Sequence, residues 1–414
     1  MTALSGHEPQ IKISIPAAAS RLLGALRRAG FEAYVVGGCV RDSLLGLTPH
    51  DWDLCTSALP QQGMKLFGEE KCIPTGLQHG TVTVKQGGGL YEITTFRTEG
   101  AYTDGRHPDE VHFVPDVRED LARRDFTINA MAYNAKEGLI DPFGGQDDLQ
   151  SGILRAVGVP HQRFTEDALR ILRLYRFAAR FGFSIDPPTA QAAQELCAHL
   201  DCVSVERIEE ELAKLLSAPA PAAYLDEKIL GVVLPELSPE ALAAAKPVVD
   251  ACPAGERALP VRLAALLLSL GEDGTRRTLR RLRCSNACIE KTAVLVREAV
   301  SGVPVSLNIY ARRLLGRYNL CTVQRLAALG TALQPEHAAD FAALSELAER
   351  LDADGVCCRI SQLAVNGRDL MAAGVPAGPG IRKVLEALLD GVIREEYPNE
   401  RQALLAAVQQ LAAS

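Results

Sequence analysis

The 414-residue chain is short of several things at once. No apolar run approaches the ~20 residues a helix needs to cross a bilayer, so no membrane span or membrane partner is expected. The N-terminal MTALSGHEPQIKIS has neither the basic start nor the apolar core of a secretory signal. The eleven cysteines have no framework spacing, which argues against a secreted disulfide scaffold and for free thiols in a reducing cytoplasm. Cys284 and Cys288, or the adjacent Cys357 and Cys358, would make half a metal site. No second Cys or His pair stands at finger-like spacing, so zinc is not expected. Positive charge is not in excess either: 44 basic against 51 acidic residues give −7. A nucleic-acid partner would therefore need local basic patches rather than a global field. Aromatics are few, at 5% with a single tryptophan.

What is present is an ordinary globular composition, 47% hydrophobic and 23% charged. The length is too great for one compact core and implies about two to four domains. Alanine and leucine concentrate after about residue 150, which predicts a mainly helical second part. Before that point short β-rich runs alternate with helical ones. AAASRLLGALRRAG has helical periodicity and stops at Gly30, and VREDLARRDFTINAMAYN also reads as helix. EAYVVGG, DWDLCT, GTVTVKQ and LYEITTFR read as strands. Thr98 to Glu110, TEGAYTDGRHPDE, is polar with glycines and a proline and reads as a mobile loop. From Ile153 on, FTEDALRILRLYRFAARFGF reads as one amphipathic helix ending at Gly182, and helical runs without a fixed period continue to the C-terminus.

The stretch GGCVRDSLLGLTPHDWDLCT, Gly37 to Thr56, carries the chemistry. Asp51 and Asp53 alternate with one residue between them, so on a strand both carboxylates point to the same face. Converging carboxylates repel, and Mg2+ relieves this while keeping sites for water and substrate phosphate. Gly37 and Gly38 after a strand let backbone N–H groups approach a triphosphate, and Arg41 one helical turn on can pair with its oxygens. D-x-D alone is a common pattern; GG-x-V-R-D followed by D-x-D is far more specific. A third carboxylate from a neighbouring strand is usual in two-metal phosphoryl transfer, and Glu92 in LYEITTFR is the candidate. A cross-strand partner for an arginine is the competing reading of Glu92.

Taken with RRDFTINAMA and EDALRILRLYRF, the ordered motifs from residue 34 to 183 resemble class II tRNA nucleotidyltransferases. These CCA-adding enzymes share the polymerase β-type superfamily with bacterial poly(A) polymerases. Weaker similarity, in VLPEL and VNGRDL through PNERQALL, extends nearly to the C-terminus. The resemblance implies an α/β nucleotidyltransferase head with a mixed sheet, over residues 1–150. An all-α neck (151–216), body (217–335) and tail (336–414) would follow, the last two binding RNA. It further implies Gly38 and Arg41 at the incoming nucleotide, and Asp51 and Asp53 on Mg2+. Arg123 or Arg124 would contact the nucleotide, with Asp125 and Asn129 supporting the site.

In the second motif Asp167, Arg170, Arg173 and Arg176 recur every three residues along one helix. Intrahelical pairing would explain Asp167 with Arg170, but not three arginines in a row. The family uses the Asp/Arg pair as an amino-acid template for the base, and base edges rationalise this. A carboxylate accepts from N4 of cytosine or N6 of adenine, and an arginine donates to the ring acceptors beside it. Uracil and guanine would set an oxygen against the carboxylate, a mismatch worth a discrimination of ~10^3 or more. The Thr98–Glu110 loop, with Arg106, is tied in the family to the switch from CTP to ATP. His79, His107 and His112 lie near the motifs, with no general-base role required.

Many relatives carry a metal-dependent phosphohydrolase module in the C-terminal half; here VRLAALLLSLGED reads Leu268-Ser269 where His-Asp would stand. Arg276, Arg277, Arg280, Arg281 and Arg283 crowd into eight residues, with Arg312, Arg313 and Arg317 beyond. A solvated helix face is one explanation, phosphate contact with the acceptor and TΨC arms of tRNA the other. The function implied is addition or repair of the tRNA 3′ CCA end from CTP and ATP. Poly(A) polymerase, A-only or CC-only addition, and a non-catalytic RNA-binding paralogue are the alternatives. The non-basic end NERQALLAAVQQLAAS speaks against the first, and the intact Asp51, Asp53, Arg41 and Asp167 against the last.

Overall fold

In a computed structural model, which describes residues 12–100, 111–299 and 306–413, the chain forms two units, Met1–Pro235 and Glu236–Ser414. In the first, helix α1 (Ala17–Arg28) buries Ala19, Leu22, Leu23 and Leu26, a stripe at spacings of three and four. Strand β1 (Ala33–Val36) is buried at every position, as a central strand covered on both faces must be. Helix α2 (Gly38–Leu44), β2 (Leu54–Thr56) and α3 (Pro60–Phe67) follow. Then come β3 (Cys72–Gly76), β4 (Thr81–Gln86), β5 (Gly89–Thr95), β6 (Arg97–Glu99) and β7 (Val111–Phe113). Helix α4 (Val117–Ala122), β8 (Ala132–Asn134), β9 (Gly138–Ile140) and α5 (Gly145–Ser151) complete the α/β part.

Seven strands make one mixed sheet in the order β3-β4-β5-β2-β1-β8-β9. The pair β2/β5 is parallel and the other neighbours are antiparallel. One cluster of the core joins Tyr34, Val36 and Cys55 of the sheet to Val117 and Leu121 of α4 and to Phe96, Ala130 and Val157. The hairpin β6/β7 stands apart from that sheet. Residues 101–110 of the polar loop, including Arg106 and His107, lie outside the described residues.

After β10 (Ile153–Leu154) come α6 (Pro160–Glu166), α7 (Leu169–Phe181), β11 (Ser184–Ile185), α8 (Pro187–Glu195), α9 (Val205–Leu216) and α10 (Glu227–Val233). The second unit is helical among its described residues: α11 (Pro239–Ala251), α12 (Leu259–Leu267), α13 (Gly271–Arg281), α14 (Asn286–Glu298) and α15 (Leu307–Arg317). It continues with α16 (Leu320–Leu333), α17 (Ala338–Ala353), α18 (Gly367–Ala372), α19 (Gly380–Ile393) and α20 (Arg401–Ala413). Leu370, Leu388, Val392, Leu404 and Val408 form a core among α18, α19 and α20. Leu268 and Ser269 fall in a 3-10 turn, Leu268–Leu270. Among the described residues no helix is long and apolar enough to cross a membrane, and none of the eleven cysteines is in a disulfide.

Three elements differ from the sequence-based expectation. Asp51 and Asp53 precede β2 rather than lying on it; only the Asp53 carbonyl is tied to the sheet, accepting from the Val36 N–H at 3.0 Å. The helix expected over residues 117–134 ends at Ala122. Beyond it Phe126 bridges to Ala156 and Thr127 N–H donates to the Arg155 carbonyl, because Phe126, Ile128 and Met131 are too apolar to leave the core. The long helix expected from Phe164 is broken at Asp167, whose backbone is extended and whose carboxylate accepts from the Leu169 N–H at 3.1 Å. An aspartate in that conformation caps a new helix instead of continuing the old one.

Candidate active site

Gly37 follows β1 with φ 76°, a conformation that favours glycine, and its N–H donates to the Met131 carbonyl at 3.0 Å. A Cβ at this position would lie 2.8 Å from Nη1 of Arg124, so the missing side chain is what lets the arginine pack on the turn. The parallel register Leu54↔Ile93 brings Asp53 beside Glu92. Glu92 is exposed, and its partner across β4 is Thr83 rather than an arginine. Asp51 and Asp53 both keep exposed surface, although neighbouring groups crowd the Asp53 carboxyl. Burial pushes the Asp53 carboxyl above its ordinary range, Glu92 and Asp51 add to the rise, and Arg124 opposes it.

These are hard oxygen donors whose mutual repulsion a cation would relieve, so they fit Mg2+. Among the described residues no three His, Cys, Asp or Glu side chains gather closely enough to hold a metal alone. Such a cation would need further oxygens from water and substrate phosphate, which is the habit of Mg2+.

Two neighbouring arginines have different surroundings. Arg123 donates through Nε to Asp120 at 3.0 Å, and its carbonyl accepts from Arg170 at 3.1 Å. Arg124 reaches the same carboxylate only at 3.4 Å while facing Gly37 and the field of Asp53. Asp120 resists its burial because both arginines, Arg123 first, hold its carboxyl below the ordinary range.

Arg41 is 4% exposed. Its Nη1 donates to Asn129 Oδ1 at 2.5 Å and its Nε to Asp42 at 2.8 Å. Asn129 in turn donates to Asp125 at 3.0 Å, and Arg173 donates to the other Asp125 oxygen at 3.0 and 2.7 Å. Burial works against the charge of Asp125, yet Arg173 and Asn129 hold its carboxyl far below the ordinary range. The motif residues Arg41, Asn129, Asp125 and Arg173 are therefore one hydrogen-bonded chain.

Asp167 and Arg170 do not pair with each other. Asp167 accepts from Arg207 of α9 at 2.8 Å, while Arg170 donates to Glu166 at 2.8 Å and to the Arg163 and Arg123 carbonyls. Arg176 pairs with Glu211, which also lies 3.6 Å from Arg173. Like charges spaced by three on α7 thus coexist because each has its own carboxylate. Glu166 was missed in the sequence reading; Arg207 and Glu211 fall in SVERIEEELAKLL, whose resemblance to the family's neck segment implies support for the template side chains, without either residue being singled out. Glu211 had a signal: it falls on the apolar face of α9 with Ile208, Leu212 and Leu215, where an unpaired glutamate would be costly.

In the second unit, Arg276 is held by Glu272 and Glu290, and Arg281 by Glu236. Arg277, Arg280 and Arg283 are exposed, the last with φ 55° just past the end of α13.

Against known families, residues 33–155 match the Poly A polymerase head domain and residues 261–408 match tRNA nucleotidyltransferase domain 2. Residues 182–240 match the Probable RNA and SrmB- binding site of polymerase A. A CCA-adding enzyme of Lactiplantibacillus plantarum is 37% identical over 398 residues, covering 94% of each chain. One of Lactobacillus delbrueckii subsp. bulgaricus is 39% identical, over 92% of this chain and 95% of its own. The solved Bacillus stearothermophilus CCA-adding enzyme in complex with CTP superposes with a TM-score of 0.81 at 32% identity, over 96% of this chain and 97% of that one. With identity of this order running through both units, the chain belongs to the family of CCA-adding tRNA nucleotidyltransferases.

Proposed function

We propose that this enzyme builds and repairs the 3′-terminal CCA of tRNA, adding CMP, CMP and AMP from CTP and ATP and releasing pyrophosphate, in the cytoplasm. The observation that carries the reading is the Asp53 carboxyl, under the fields of Glu92, Asp51 and Arg124, with Arg124 packed on the glycine turn. Mg2+ bound by Asp51 and Asp53, with Glu92 beside them, would acidify the primer 3′-hydroxyl and neutralise charge on the triphosphate. Arg124, held against Gly37, pairs with phosphate oxygens, while Gly37 and Gly38 let the backbone come close. Arg123 supports it by sharing Asp120. Arg41 acts from beneath the turn through Asn129 rather than from an open surface.

Base choice falls to Asp167 and Arg170. Asp167 is held rigid by Arg207 and by its bond to Leu169 N–H, and a carboxylate has acceptor capacity beyond those bonds for a base amino group. Arg170, steadied by Glu166 and two carbonyls, keeps part of its donor fork for the ring edge of C or A. Arg173 and Arg176 back the template from the same helix. Residues 1–150 would be the catalytic head and 151–216 the selecting neck. Body and tail, 217–335 and 336–414, would hold the tRNA acceptor and TΨC arms, with Arg276, Arg277, Arg280, Arg281 and Arg283 on phosphates.

Primer extension decides the matter: tRNA transcripts ending before CCA, at C and at CC, with Mg2+ and CTP, ATP or both. Three additions that stop at CCA are expected. Unlimited A addition on any RNA would make the enzyme a poly(A) polymerase, and C-only or A-only addition would refute full CCA synthesis.

A further inference from the structure

One buried aromatic ring lies against three of the motif arginines. Phe177 on α7 is 5% exposed. The guanidinium carbon of Arg176 lies 3.8 Å from its ring centroid, that of Arg41 5.1 Å and that of Arg173 5.4 Å. Phe181, one turn on, stacks parallel to Phe177 at 6.1 Å and takes Arg41 at 4.9 Å and Arg180 at 4.9 Å. Phe126, next to Asp125, meets Phe177 edge-on at 5.9 Å.

Ion pairing leaves these guanidiniums crowded against one another. Arg41 shares the Asp42 carboxylate with the part-exposed Arg180, and Arg173 and Arg176 share Glu211, with Asp125 on Arg173 and the fields of Asp167 and Glu210 nearby. Arg41 and Arg176 are almost wholly out of water. An aromatic face is negative, so a ring steadies closely packed guanidiniums where an aliphatic side chain of similar size cannot. Leucine would fill the same space and leave the guanidiniums facing each other.

We propose that Phe177 is a positioning residue for nucleotide selection: its ring clasps Arg41 beneath the glycine turn and Arg173 and Arg176 on the selecting helix, so phosphate site and base template move as one. Phe177 acts through the arginines it packs against. The inference rests on the nucleotidyl-transfer reading above and deepens it.

The test compares wild type, F177L, F177Y and F183L. Phe183 packs against Phe181 at 5.4 Å with its ring tilted by 38°, and F183L controls for lost aromatic packing. Two readouts are taken: equilibrium binding of CTP against UTP to the enzyme without tRNA, and single-nucleotide extension giving KM and kcat for each. Losing desolvated cation–π contacts should cut the CTP-over-UTP preference of F177L about tenfold in both. KM for CTP should rise more than kcat falls, F177Y should restore the preference, and F183L should keep it. An unchanged preference in F177L, a loss equal in F183L, or no rescue by tyrosine overturns the proposal. Should F177L not melt cooperatively, F177M is read in its place. Wild type that prefers CTP in binding but extends no tRNA would sink the functional reading alone, while the binding ratios still judge Phe177.

Discussion

Replacing Asp125 by asparagine isolates the one carboxylate on which the motif chain converges. The substitution keeps the shape and the acceptor for Phe126 N–H and Asn129, but turns an N–H toward Arg173 where two bonds of 3.0 and 2.7 Å had been. Breaking one side of a buried pair costs about 3–5 kcal/mol. Arg173 is one-third exposed at 33% and has Glu211 at 3.6 Å, so water and the second carboxylate recover part of this. A loss of about 2–3 kcal/mol is expected after that discount. For a unit the size of Met1–Pro235, this lowers the melting midpoint by about 4–12 °C, read by circular dichroism at neutral pH.

The acid side supplies a second check. Against its burial, Arg173 and Asn129 hold the folded carboxyl far below its ordinary 3.8, so its contribution is complete above that value and fades as pH falls below it. The gap between wild type and D125N should therefore be full near neutrality and narrow below about pH 4. A shift under about 2 °C at neutral pH, or a gap that stays constant into acid, would refute the assignment of Asp125 as the paired hub.

Other residues make separate predictions. D53N should lower kcat for CMP and AMP addition by about 10^3-fold or more with tRNA affinity kept, and a drop under tenfold in single-turnover extension would exclude Asp53 from the reacting centre. R124Q should raise KM for CTP and ATP alike, by about tenfold for one lost charged phosphate bond, whereas R123Q should act mainly on melting; equal KM effects would refute the distinction. Doubly substituting R277A and R280A should weaken tRNA binding and lower its salt slope by about 1–2, while R276A, already paired with Glu272 and Glu290, should do less; a slope unchanged in the double variant would remove α13 from the RNA surface.

Much of the fold was legible because its signals are local. Leu22, Leu23 and Leu26 announce α1, and the buried run at Ala33–Val36 announces the central strand. What failed did so where distant pairing or a cap overrode local composition. The residues after Ala122 and around Asp167 have helical composition, yet Phe126 and Thr127 pair with residues near 155 and Asp167 caps instead of continuing. Glu92 was a candidate because two-metal phosphoryl transfer usually recruits a third carboxylate from a neighbouring strand, but that Asp53 is its neighbour follows only from the strand order.

By itself, the sequence determined the reaction class. A glycine turn, an arginine and two alternating carboxylates are chemistry confined to a short span of chain, and spacing along that span is enough to read it. Which arginine faces open space, and which is a buried strut, only the tertiary structure decided. Arg41 meets Asn129 across 88 residues, Arg173 meets Asp125 across 48 and Arg176 meets Glu211 across 35. Nothing local distinguishes a guanidinium awaiting a ligand from one already matched; the difference lies in which carboxylate and which ring the folded chain carries to it.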